Sequence, residues 1–142
     1  MGRVVVRTAT RGDVAAVLGV WGQARTPFAS TPDTTEAVAL LLERSPDGLL
    51  VAEVDGAVVG TLVAGWDGWR GNLYRLAVLP DQRRHGVATA LVEEALQRLR
   101  GHGARRVTAL VATDDDVAQE LWRAVGFELD DHASRFVLQL AP

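Results

Sequence analysis

"VLPDQRRHGVATALVEEAL", Val78 to Leu96, joins an apolar, strand-like end to an amphipathic helix through a short turn. After Asp81 that turn carries Arg83, Arg84 and His85 and no acid. A helix start already bears roughly half a positive charge from its macrodipole, so three basic side chains raise the potential there further. The arrangement makes sense if something negative belongs at that point. Gly86 and Ala88 open the helix with little side chain, while several backbone N–H groups of the first turn lack intrahelical partners. Together they form an anion cradle, and a pyrophosphate fits it. Taken alone, the stretch also reads as an ordinary solvated helix start, and it lacks the glycine spacing of a dinucleotide or flavin fingerprint.

Working outward, Arg3 to Thr8 suits a strand, and Thr10 is the expected N-cap of a helix carrying Val14, Val17, Leu18 and Trp21. Thr26-Pro27 should end it. A second helix fits "PDTTEAVALLLERS", with Pro32 in its first turn and Arg44 late. Pro46-Asp47-Gly48 reads as a turn. "LLVAEVDGAVVGTLVAGW" holds two apolar runs split by Asp55-Gly56, the signal of a two-residue antiparallel hairpin. "WDGWRG" leads to a third strand, Asn72 to Leu79.

Beyond the opening stretch, Gly101-His102-Gly103 closes the helix, "RRVTALVAT" reads as a buried strand and "DDDVAQELWRAVGF" as a capped helix. Phe127 to Leu129 and Arg135 to Leu140 are the last expected strands. The predicted fold is α/β (α+β): a mixed, mostly antiparallel sheet of six to seven strands with helices on both faces.

The 142 residues, 48% hydrophobic and 23% charged, describe one globular domain spanning 1–142. There is no cysteine, which excludes disulfides, thiolate metal sites and a cysteine nucleophile. All 15 basic residues are arginine, which removes a Walker A lysine and a Schiff-base lysine. His85, His102 and His132 show no metal-ligand spacing, so no metal is expected. A net charge of −3 without a long basic cluster gives no footprint for nucleic acid. The start has no signal-type apolar run and nowhere do about 18 apolar residues follow one another; the expectation is a cytoplasmic protein without a membrane partner.

Arg83-x-x-Gly86-x-Ala88, preceded by "LAVLP" and followed by "ALVEEAL", resembles the coenzyme A loop of the GCN5-related N-acetyltransferases. "LLVAEVDGAVVGTLVA" resembles that family's preceding hairpin, and "DDDVAQELWRAVGFE" its second cofactor motif, so the likeness covers most of residues 48–129. It implies the acyl-CoA N-acyltransferase fold and acetyl-CoA as cosubstrate. In that fold the fourth and fifth strands, here Asn72 to Leu79 and Val107 to Thr113, splay apart. Leu76, Ala77 and Val78 are then expected to meet the pantetheine and acetyl group. Arg83, Arg84, His85, Gly86, Val87, Ala88 and Thr89 would hold the diphosphate.

The sequence departs from the family where protons move. The last cofactor helix commonly supplies a tyrosine to protonate the leaving thiolate, and here Trp122 stands there. Indole N–H cannot release its proton, so Trp122 either lines the thiol pocket or packs under the sheet. Positions that often hold Glu or His match Asn72 and Tyr74, and another matches Leu110; none is a carboxylate. Strand alternation puts Asn72, Tyr74, Leu76 and Val78 on one face, which makes Tyr74 the best-placed polar group, with Asn72 beside it. Asp115 falls where the family usually has Asn at a cofactor contact, and it would still cap its helix.

An amine-binding region is expected from "QARTPFASTPD" and "WDGWRG", with Arg25, Phe28, Trp66 and Trp69 lining it. Arg25 or Arg70 would suit a substrate carboxylate, and Asp130 and Asp131 a cationic amine. The resulting expectation is acetyl transfer from acetyl-CoA to a primary amine of a small molecule or peptide by direct attack. The alternative is a non-catalytic, regulatory coenzyme A binding module. Family relatives often dimerise, so a homodimer is among the expected assemblies.

Overall fold

The computed structural model describes residues 2–24 and 33–140. The chain runs β1 (Val4–Thr8), a 3-10 turn (Arg11–Asp13), α1 (Val14–Ala24), α2 (Thr35–Arg44), β2 (Leu49–Val54), β3 (Ala57–Trp66) and β4 (Gly71–Val78). A 3-10 turn (Pro80–Gln82) then leads to α3 (Val87–His102), β5 (Val107–Ala109) and α4 (Asp116–Ala124). The strands form one sheet in the order β1-β2-β3-β4-β5. The first four pair antiparallel and β5 joins β4 in parallel, which makes the sheet mixed and mostly antiparallel.

Both sheet faces are covered. α1 and α2 lie over one, where Val17, Val20, Trp21, Val38 and Leu42 pack on Leu49, Val51 and Val63. α3 lies over the other. Its Val87, Leu91, Ala95 and Leu99 recur every fourth residue and are essentially fully buried against Leu50, Leu62 and Leu73. Burying each leucine of such a stripe is worth about 1.5–3 kcal/mol, and the stripe fixes where the helix begins. Asp55 and Gly56 both have positive φ, 52° and 80°, as the two-residue hairpin between β2 and β3 requires.

Two expectations are corrected. The sheet has five strands, not six or seven: Phe127 to Leu129 and Arg135 to Leu140 form no strand. Phe136 is 93% exposed, and Val137, Leu138 and Leu140 are exposed with it. Apolar alternation becomes a strand only against a partner edge and a face to pack on, and this segment meets neither within the described residues.

The second correction concerns β4. Tyr74 pairs with Val63 and Ala77 with Thr61, so Arg75 and Leu76 together stand opposite Leu62 in a bulge. The extra residue inverts the alternation. Asn72, Tyr74 and Ala77 share the face toward α1, whereas Leu76 and Val78 pack with Leu73 on the α3 face. Leu76 and Val78 therefore do not share a face with Tyr74.

Candidate functional site

β4 and β5 are paired only at Gly71–Val107, Asn72–Thr108 and Leu73–Ala109. The last link between them is Leu110 N–H donating to Leu73 O at 3.3 Å, beyond which the strands separate. On the other side of β4, Leu79 N–H donates to Val59 O at 2.9 Å. Residues 77 and 79 thus spend their backbone groups on β3, and alternation turns those of Leu76 and Val78 to the opened edge. Arg83 confirms the direction: its Nε donates to Val78 O at 3.3 Å.

The chain then reaches α3 through two left-handed residues, Arg84 at φ 66° and Gly86 at φ 81°. A left-handed conformation costs an ordinary L-residue about 1–2 kcal/mol, so holding Arg84 there is a strain set beside the helix start. Gly86 is the N-cap of α3, and no side chain caps that helix. α2 and α4 are capped conventionally: Thr34 Oγ1 accepts from Ala37 N–H at 3.0 Å, and Asp115 Oδ1 from Ala118 N–H at 3.0 Å. A Cβ placed on Gly86 would meet nothing within 4 Å, so the space before the helix is open. Uncapped N–H groups, a dipole end and nearby arginines suit a diphosphate.

The structure brings Leu76, Ala77, Val78, Arg83, Arg84, His85, Gly86, Val87, Ala88 and Thr89 into one continuous strand–turn–helix unit beside the opened edge. Asn72 and Tyr74 stand just before it on the α1 face, with Tyr74 39% exposed and its hydroxyl beside Gly65. Asp115 spends its carboxylate on its own helix. Trp122 is only 7% exposed and packs edge-to-face on Phe127, with ring centroids 4.9 Å apart.

Trp66 and Trp69 lie at the other end. Trp66 stacks on His102, the last residue of α3, at 5.7 Å. A 16-residue helix is about 24 Å long, which separates Trp66 from the cradle at Gly86. A shallow cavity of about 140 Å³ beside Trp66, His102 and Arg98 lies at that remote end too. Trp69 is exposed in the β3–β4 turn, under the guanidinium of Arg70, where Asp67 accepts from the N–H groups of Arg70 and Trp69. Those bonds, Arg70 N–H first, hold the Asp67 carboxyl below its ordinary range. Arg25 and Phe28 fall outside the described residues.

Sequence reasoning missed a group under the bulge. Buried Thr61 accepts from Trp21 Nε1 at 2.8 Å and donates to Arg75 O at 2.9 Å. The Arg75 guanidinium lies 4.8 Å from the Trp21 ring centroid and pairs with Asp33 at 2.6 Å. One signal was available: an arginine at the position that strict alternation would bury with Leu73. Among the described residues, no group of three His, Cys, Asp or Glu could hold a metal ion, and no helix is long and apolar enough to cross a membrane.

The α/β domain thus brings an opened strand edge and an uncapped, basic helix start together in one place. Residues 19–127 match the acetyltransferase (GNAT) family, and the chain belongs to it. It is 31% identical to acetyltransferase ECA0875 of Pectobacterium atrosepticum over 126 residues, 89% of each chain. It is 38% identical to acetyltransferase SG1711 of Sodalis glossinidius over 90 residues, a match that spans 63% of each chain. Among solved structures, AAC(6')-Iy in complex with the bisubstrate analogue CoA-S-monomethyl-acetylneamine shares the fold, with a TM-score of 0.77, 20% identity, and coverage of 96% of this chain and 99% of that one.

Proposed function

We propose that the protein transfers the acetyl group of acetyl-CoA to a primary amine of a small molecule or peptide. The observation that carries this reading is the α3 start: uncapped, open before Gly86 and continuous with the free edge of β4. The family and the acetyltransferase names of the curated relatives support it. So does the coenzyme A analogue in the structure of similar fold.

In this reading the N–H groups of Gly86 to Thr89, with Arg83, Arg84 and His85, take the diphosphate. The edge groups of Leu76 and Val78 bond the pantetheine arm as an added strand would. Acetyl-CoA supplies an activated acyl carbon: the amine nitrogen bonds to that carbon, the carbon–sulfur bond breaks, and the thiolate leaves. An ordinary ammonium of pKa ~10.4 costs about 4–5 kcal/mol to deprotonate at pH 7, so the amine must lose its proton before attack. Tyr74 and Asn72, on the α1 face of β4, orient the neutral nitrogen and relay its proton through water. Trp122 holds no exchangeable acid, and a thiolate of pKa near 8.5 needs none to depart. Asp115 and Trp122 serve the site indirectly, by capping α4 and by seating it in the core on which α3 also packs.

Isothermal titration with acetyl-CoA and with CoA, followed by thiol release against a mixed amine panel, tests the reading. Binding with turnover is expected. Binding without turnover on any amine favours a regulatory coenzyme A module, and absence of binding overturns both.

A further inference from the structure

The end of α3 farthest from Gly86 carries its own set of uncommitted groups. There the turn between α2 and β2, the end of β3 and the last turns of α3 enclose the shallow cavity of about 140 Å³. Small residues keep it open: Gly48 and Ala64 both line it, both are buried, and Ala64 N–H is held to Gly48 O at 2.7 Å. A Cβ on Gly48 would stand only 3.0 Å from Ser45 Cβ, so a larger residue would not fit that turn unchanged.

One wall of the cavity is aromatic. The Trp66 and His102 rings lie 13° from parallel, with centroids 5.7 Å apart. The rim is cationic. Arg98 is held by three bonds, from Nε to Glu94 at 3.0 Å and from Nη1 to Thr8 Oγ1 at 2.7 Å and Asp47 O at 3.3 Å. Its Nη2 is left without a partner among the described residues. Arg44, the last residue of α2, has no partner among the described residues at all. Of the described residues that line the cavity, Asp47 is the one carboxylate, and its Oδ2 lies 3.4 Å from His102 Nε2.

A flat aromatic wall beside guanidinium N–H groups that lack an anion suits a small planar carboxylate, its ring on the indole and its oxygens on the arginines. The volume sets the size, because a cavity of about 150 Å³ accepts benzene. We propose that this cavity is a second small-molecule site, taking an aromatic carboxylate of about the size of benzoate between Arg44, Arg98 and Trp66. About 24 Å of helix separates it from the cradle at Gly86, so it is independent of the acetyl-CoA reading.

Calorimetric titration with benzoate tests the site, with benzyl alcohol and acetate as counterparts that lack the charge and the ring. Benzoate is expected to saturate with a Kd of about 1 mM or tighter, and both counterparts to bind at least about tenfold more weakly. Arg44→Gln and Trp66→Leu should each weaken benzoate binding at least about tenfold. Arg44 is exposed, so its variant should keep the wild-type melting temperature and decides the matter if Trp66→Leu fails to fold. Benzoate that does not saturate by about 20 mM, a counterpart that binds equally well, or an Arg44→Gln protein with wild-type affinity would each overturn the proposal. Displacement of benzoate by coenzyme A would put it at the cradle and overturn the second site as well.

Discussion

The segments leading into α1 and into α3 solve the same problem in opposite ways. Ahead of α1, Asp13 closes everything: its carboxylate accepts from Thr10 N–H at 2.7 Å and from both terminal nitrogens of Arg7, which also binds Glu53. Ahead of α3, no side chain caps the helix, Arg84 is strained, and the front of Gly86 is open. Both entrances carry arginine, but only one carries its own anion. The comparison teaches that this sequence can satisfy a helix entrance internally and leaves the α3 entrance open, as the proposed diphosphate site requires.

The strongest way to break the contrast is to give α3 an internal anion. Gly86→Asp places a Cβ in a left-handed position, at about 1–2 kcal/mol, and a carboxylate where phosphate is proposed to sit. Coenzyme A affinity, measured by calorimetry, should fall at least about a hundredfold, roughly 2.7 kcal/mol.

The converse change removes the anion before α1. Asp13→Ala orphans Thr10 N–H and leaves Arg7 with Glu53 alone, which should cost about 2–3 kcal/mol in a denaturant titration at pH 7. Arg7, above all, holds the Asp13 carboxyl well below its ordinary range. Its contribution is therefore full above the unfolded carboxyl pKa of about 3.9 and is lost as pH falls toward the depressed folded value. The gap between variant and wild type should narrow below about pH 4, and a gap independent of pH would contradict the assignment.

Arg84→Ala sharpens the contrast more gently. Alanine keeps the Cβ, and with it the cost of the left-handed position, so the change only removes one charge from the open entrance. Coenzyme A should bind about tenfold more weakly, on the order of 1.4 kcal/mol. The salt dependence of binding should also flatten, because an exposed charge is screened within a Debye length of about 8–10 Å.

Much of this was legible in the sequence. The β2–β3 hairpin followed from Asp55-Gly56, and α3 from its amphipathic pattern opening at Gly86. Those are local signals, written within a few residues of what they specify. Two features were not legible that way. Arg135 to Leu140 alternates like a strand, but pairing depends on an edge elsewhere in the chain. The β4 bulge depends on Thr61, Trp21 and Asp33, which lie 14, 54 and 42 residues away from Arg75 in the sequence. Strict alternation would have put Arg75 inward with Leu73 and left Leu76 and Val78 outward with Tyr74. That conflict was the trace of an added residue.

The bulge also changes how variation along β4 should be read. Before Arg75 the inward position is Leu73, an odd number; after it the inward positions are Leu76 and Val78, both even. Related sequences aligned across this strand would carry two patterns of permitted replacement, each with a period of two and half a period out of step. Averaged over the whole strand, the patterns cancel, and the segment would look as though it tolerated almost anything. Split at Arg75, each half would show a strict preference.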